Sequence, residues 1–158
     1  MGIEHRSTTR VARLTEDDWA VFAELRRNAL ADAFGINDPQ YRHESRFTET
    51  EWRYRIGLHT PFAARLGGRP VGMIAAHRDS DDTVYLYSLW LDPAVRGHGL
   101  AQELLAAALQ WARGLGAKRM HLRVAADNFV ARGVYERFGF SAAGSTEDEE
   151  LVMSLPVR

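Results

Sequence analysis

Residues 86–113, LYSLWLDPAVRGHGLAQELLAAALQWAR, pass from an apolar, aromatic-rich run through Asp-Pro and a Gly-His-Gly turn straight into the pattern of an amphipathic helix. No other stretch restricts the fold as strongly. Leu100, Leu104, Ala108, Trp111 and Leu115 recur on one helical face, and that face has to be buried against other elements. The first amides of a helix have no intrahelical partner and carry the positive end of its dipole, so a strand that turns through glycines into a helix makes an anion site. Phosphate is the natural guest. Gly97 and Gly99 let the backbone come close to it, the amides of Gly97, His98, Gly99, Leu100 and Ala101 donate, and Arg96 or His98 adds charge. An ordinary glycine-rich turn would read the same way from these residues alone.

Two familiar phosphate motifs are excluded. The chain has no G-x-x-x-x-G-K-[ST], and the spacing G-x-G-x-x-G fails because Gln102 stands where the third glycine or alanine belongs. Composition narrows the function classes further. The chain has 158 residues, 46% of them hydrophobic, which predicts one domain over residues 1–158. A formal net charge of -1 without a basic cluster argues against nucleic acid as a partner. The absence of cysteine removes disulfides, thiolate metal sites and a cysteine nucleophile. The first ten residues, MGIEHRSTTR, lack the apolar core of a signal peptide, and no run is long enough to span a bilayer, so no membrane role and a cytoplasmic location are expected.

Along the chain, STTRVARL predicts a first strand. A helix is expected from Thr15, capped by its hydroxyl, with Glu16, Asp17 and Asp18 in the first turn and Leu14 stapled onto Trp19. Thr48 and Glu51 form a capping box for a second helix, with Phe47 on Trp52 and Gly57 as its end; a loop with a short helical turn lies between the two. Gly67-Gly68 joins the next two strands as a hairpin, and TVYLYSLWL is a fourth strand. After the helix beginning near Gly99, KRMHLRVAA alternates as a fifth strand. A helix follows from Asn128 to Phe138, stopping at Gly139, and an antiparallel pair closes the chain. Helices can then cover both faces of one mixed sheet in three layers.

A second run decides between the readings of the glycine turn. DNFVARGVYERFGF, taken with LDPAVRGHGLAQELL, resembles the GNAT superfamily of acetyl-CoA-dependent N-acetyltransferases, most strongly over residues 84–141. The family's loop pattern [QR]-x-x-G-x-[GA] is matched by Arg96, Gly99 and Ala101. Its pattern N-x-x-A-x-x-x-Y-x-x-x-G-F is matched by Asn128, Ala131, Tyr135, Gly139 and Phe140. The resemblance implies an α/β chain of the α+β type, with a mixed, mostly antiparallel sheet and helices on both faces. It implies acetyl-CoA as cosubstrate, with no metal, and an amine as acceptor. Arg96 to Ala101 would hold the pyrophosphate. Asn128 would lie near the pantetheine arm while also capping its helix, and the backbone amides around Leu89 and Leu91 would meet pantetheine and the thioester carbonyl. Tyr135 would give a proton to the departing thiolate, a role open to a phenol that stays protonated at neutral pH.

Transfer from a thioester needs a neutral amine, stabilisation of an oxyanion and that proton. Without cysteine, direct attack by the amine in a ternary complex is expected. The general base is open between His121, His77, Tyr85 and water. Arg132 is either a contact for the adenosine phosphate or a solvated helix residue. Acceptor specificity is expected from Phe34 to Phe47 and from the acidic run Glu147, Asp148, Glu149 and Glu150, which can attract a cationic amine or simply solvate a hairpin. Tyr41, His43, Trp52 and Tyr54 can wall an acceptor, with core packing the simpler assignment for Trp52. A homodimer is compatible with all of this. The rival reading is a non-catalytic acyl-CoA-binding regulatory module, which the presence of Tyr135 disfavours.

Overall fold

The computed structural model describes residues 8–158. Ser7 of the expected first strand, and most of the N-terminal segment read above for a signal peptide, lie outside those residues. One seven-stranded sheet runs in the order β1-β2-β3-β4-β5-β7-β6, with β1 Thr9–Arg13, β2 Thr60–Leu66, β3 Arg69–Arg78, β4 Thr83–Leu91, β5 Arg119–Ala125, β6 Ser141–Ser145 and β7 Glu150–Pro156. Neighbours are antiparallel except β4 and β5, which run parallel. The mixed, mostly antiparallel sheet expected above is therefore present.

Strand periodicity distributes the core between the two faces. Ala63, Met73 and Ala75 face α1 (Trp19–Phe34) and α3 (Glu49–Leu58), where Phe22, Leu25, Trp52 and Ile56 are buried. Their neighbours Ala64, Ile74 and Ala76 face the other way, against Leu104, Leu105 and Ala108 of α4 (Leu100–Gly114). Successive side chains on a strand point to opposite faces, so runs of consecutive apolar residues on β2 and β3 mark strands covered on both sides. The hairpin glycines Gly67 and Gly68 have φ of 57° and 84°, as a tight two-residue connection demands.

The helix starts follow their caps, with two differences. The turn after Thr15 is a 3₁₀ segment, Glu16–Asp18, and α1 begins only at Trp19. The Asp18 carboxylate accepts from the Thr15 backbone amide at 2.9 Å, which holds the first turn tight. Leu14 is buried and Trp19 packs against the same cluster, as the staple requires. The capping box at Thr48 and Glu51 is formed, and Phe47 meets Trp52 edge-on at 5.1 Å. Gly57 does not end α3. The helix continues to Leu58 and stops at His59, where the chain turns extended to enter β2. The segment between α1 and α3 holds a short helix, α2 (Pro39–Glu44), started by Pro39 and by the Asp38 carboxylate, which accepts from the amides of Gln40 and Tyr41.

Candidate active site

The site originates where two parallel strands part. β4 and β5 pair from Thr83–Arg119 to Leu86–Leu122 and no further. Beyond that point β4 stays with β3 as far as Leu91–Gly72, while β5 stays with β7 as far as Ala125–Glu150. The opening is continuous with a cleft of about 1150 Å³.

The edge of β4 at this opening is bulged. Tyr87 opposes Ala75 and Trp90 opposes Met73, so Ser88 and Leu89 share the single partner Ile74. Ser88 takes the left-handed conformation with φ of 55°. The bulge also reverses the strand's parity. Val84 and Leu86 face the α4 side before it, and Leu89 and Leu91 face that side after it, while Tyr87 and Trp90 face α1. At the end of β4, Asp92 caps a 3₁₀ turn, Pro93–Val95, through the Ala94 amide. Gly97 and Gly99 follow with φ of 83° and 85°, and Gly99 is the N-cap of α4. A Cβ at either glycine would meet open space, so conformation rather than crowding by this chain is what requires glycine here.

Leu89, Leu91, Arg96, Gly97, Gly99, Ala101, Asn128 and Tyr135 all line the cleft. Two expected residues do not. The Leu100 side chain is buried in the core beneath α4, and His98 is exposed. Arg96 lines the cleft with its charge already engaged: it donates to the Leu91 carbonyl at 3.0 Å and to the Asp32 carboxylate at 2.7 Å. The bond and charge of Arg96, with a bond from the Trp90 indole, hold the Asp32 carboxyl below its usual range. Asn128 caps α5 (Phe129–Phe138), as expected, by accepting from the Ala131 amide at 3.1 Å, and it also lines the cleft. Tyr135 packs against the α4-side core and against Phe140; burial, with Tyr85 adding to it, pushes its phenol up to about 12.

The base candidates separate. His121 points to Asp79 at 3.1 Å, and the His77 ring lies 4.9 Å from that of His59; neither histidine lines the cleft. Tyr85 does line it, and burial raises its phenol. Arg132 neither reaches the cleft nor sits free in solvent. It donates to the Ala126 carbonyl and lies over the Phe129 ring, with Nε buried and unpartnered. Of the acidic run only Glu150 lines the cleft, while Glu147, Asp148 and Glu149 are exposed at the hairpin turn. Tyr41, His43, Trp52 and Tyr54 stay away from it, and Trp52 is a core residue. Among the described residues no group of three His, Asp or Glu side chains is placed to hold a metal ion, and no helix is long and apolar enough to cross a membrane.

The sequence reading missed the α1 side of the cleft. Arg26 is buried and makes a two-pronged ion pair with the equally buried Glu44, Nε to Oε1 at 2.8 Å and a terminal nitrogen to Oε2 at 3.0 Å. Its other terminal nitrogen donates to the Ser88 hydroxyl. Glu44 also accepts from Gln40 and Arg55. Burial opposes ionisation of that carboxyl, but the Arg26 bonds and charge, with Gln40 and Arg55, hold it below the glutamate range. Tyr87 bonds His59, whose imidazole is driven down to about 4 by burial and by His77 and the two arginines. A signal for the bulge existed in the sequence: the aliphatic residues of β4 fall at 84, 86, 89 and 91, so the period of two breaks at Ser88.

Residues 13–140 match the model of the Acetyltransferase (GNAT) family, and the chain belongs to that family. An uncharacterized N-acetyltransferase of Methanocaldococcus jannaschii is 24% identical over 153 residues, covering 92% of this chain and 63% of that protein. A mycothiol acetyltransferase of Amycolatopsis mediterranei is 32% identical over 84 residues, covering 53% of this chain and 24% of the enzyme. The chain thus spans less than two thirds of the length of these relatives. In fold it is similar to the PaiA N-acetyltransferase of Thermoplasma acidophilum, solved with coenzyme A, with a TM-score of 0.77 at 18% identity over 94% of this chain and 99% of that one.

Proposed function

We propose that the chain is an acetyl-CoA-dependent N-acetyltransferase that moves the acetyl group to a primary amine by direct attack in a ternary complex. The observation that carries this reading is the convergence on one cleft of a bulged strand edge, a helix start with left-handed glycines and a phenol packed against the core. Bound acetyl-CoA supplies an acetyl thioester open to nucleophilic attack and a thiolate leaving group.

The residues present fit such a ligand. The amides of Gly97, Gly99, Leu100 and Ala101 stand at the N-terminus of a fifteen-residue helix, where backbone donors and the helix dipole both favour phosphate. Open space at both glycines leaves room for it. Leu89 sits in the bulge, whose extra residue leaves backbone polar groups outside the sheet ladder and free to bond a carbonyl oxygen. Asn128 also lines the cleft. Tyr135 holds its proton throughout the neutral range and gives it to the departing sulfur. Tyr85 and Tyr87, stacked with centroids 6.0 Å apart, line the acceptor side; burial raises both phenols, so neither is a base at neutral pH, and the amine's proton leaves through water in the open cleft.

The test is release of free CoA from acetyl-CoA across polyamines, aminoglycosides, amino acids, arylamines and peptides. Stimulation by one class establishes the transferase. Tight acetyl-CoA binding with no turnover across the panel would favour the binding-only module instead.

A further inference from the structure

We infer that Arg26 is a positioning residue: through the Ser88 hydroxyl it holds the β4 bulge in the shape that presents the Leu89 amide to the cleft, an inference that rests on the transferase reading above. A left-handed serine is uncommon, because its Cβ crowds the following carbonyl, and such a residue persists only where its surroundings impose it. Here the surroundings are a buried ion network. Each guanidinium nitrogen of Arg26 has a partner, two of them on Glu44 and one on Ser88. Glu44 is fixed in turn by Gln40 on its own helix and by Arg55 on α3. The Tyr87 ring covers the guanidinium at 5.9 Å. Three helices therefore converge on one carboxylate, and the arm that leaves this cluster for the sheet ends on the bulge residue.

A plain core tie would not need that arm. Burying an arginine is costly, and the pair with Glu44 alone would already satisfy the charge. The third bond goes to the one β4 residue whose backbone departs from the strand conformation, next to the amide assigned to the thioester carbonyl. The network thus couples the α1–α3 layer to the geometry of the bulge.

The experiment compares acetyl-CoA with CoA by calorimetry on the full chain, a readout that needs no known acceptor. The Leu89 contact is made only to the acetyl carbonyl, so wild type should bind acetyl-CoA more tightly than CoA. Ser88→Ala removes the tether but keeps the Cβ, and should erase about 5- to 10-fold of that margin, the size of one hydrogen bond. Arg26→Lys keeps the charge opposite Glu44 without the second arm and should do the same. Ser88→Gly also lacks the tether, yet adopts the left-handed conformation unaided and should keep the margin. Affinity for CoA itself should stay within about twofold in all three, since the bond at issue touches only the acetyl group. An unchanged margin in Ser88→Ala and Arg26→Lys, or an equal loss in Ser88→Gly, overturns the inference. Equal wild-type affinity for the two ligands also overturns it while leaving the transferase standing. Failure of wild type to bind either ligand removes the transferase reading itself.

Discussion

The two sides of the cleft are built by opposite means. On the α1–α3 side, side-chain charges hold the wall: Arg26 and Glu44 deep inside with the partly exposed Arg55 on Glu44, and the more exposed Asp32 and Arg96. On the α4–α5 side the wall is backbone and apolar packing, with left-handed glycines, the N-caps Gly99 and Asn128, and Tyr135 packed against the core. A phosphate site works best with donors that cannot rearrange, and backbone amides at a helix start meet that need without side-chain entropy. A wall that must shape itself around a strand bulge needs reach across the gap between layers, which long charged side chains provide. The difference also separates deep from shallow electrostatics. Arg26 and Glu44 side chains are 7% and 3% exposed, whereas Arg96 and Asp32 are 49% and 43% exposed.

That contrast can be broken at four points. The largest effect is expected from Glu44→Ala, which strands the buried Arg26 guanidinium and unpairs the partly exposed Arg55, and should cost about 3–5 kcal/mol of stability in a denaturant melt. The milder Glu44→Gln adds a pH signature. The carboxyl is depressed in the folded state, so its contribution is fully present above the ordinary value of 4.5 and is lost as pH falls through the lower folded value. The gap between wild type and Glu44→Gln should therefore close in acid; a gap that widens there contradicts the assigned ion pair.

On the opposite wall, Tyr135→Phe should leave the melt and acetyl-CoA affinity near wild type while lowering kcat by about 10²-fold or more, as for loss of a proton donor. Unchanged kcat removes the role. Next in size, Gly99→Val forces a β-branched residue into a left-handed N-cap at a strain of about 1–2 kcal/mol and puts its side chain into the space open at the helix start. The protein should fold and lose acetyl-CoA binding in calorimetry; wild-type affinity would mean the phosphates lie elsewhere. The smallest effect belongs to Asp32→Asn. An exposed pair contributes no more than about 1 kcal/mol and is screened by salt, so a melt in high salt should erase the difference. If Asp32→Asn cost as much as Glu44→Ala, the distinction between deep and outer ties would collapse.

Most of the α4–α5 wall was legible in the chain, and the α1 side was not. Arg96 to Ala101, Asn128 and Tyr135 belong to short local patterns in which spacing alone sets geometry: a cap lies next to its helix, and a helical face follows from the period. Even there, tertiary structure set where the side chains of individual members lie. His98 is exposed and outside the cleft lining, the Leu100 side chain lies in the core, and the Arg96 charge is paired with Asp32, 64 positions earlier in the chain. The base candidates His77 and His121 lie outside the cleft lining, since strand parity does not say how far a cleft extends along the sheet.

By itself the sequence determined the local devices of this protein: the caps at Thr48 and Asn128, the Gly67-Gly68 hairpin, the glycine entry to α4, and the family that those motifs carry. These depend on contacts within a few residues, so composition and spacing suffice. Only the tertiary structure decided that β4 and β5 part after Leu86 and that Arg26 reaches Ser88 across 62 positions of chain. Such contacts are selected by the joint packing of three helices on a twisted sheet, where burial makes a charge seek whichever partner the fold brings near.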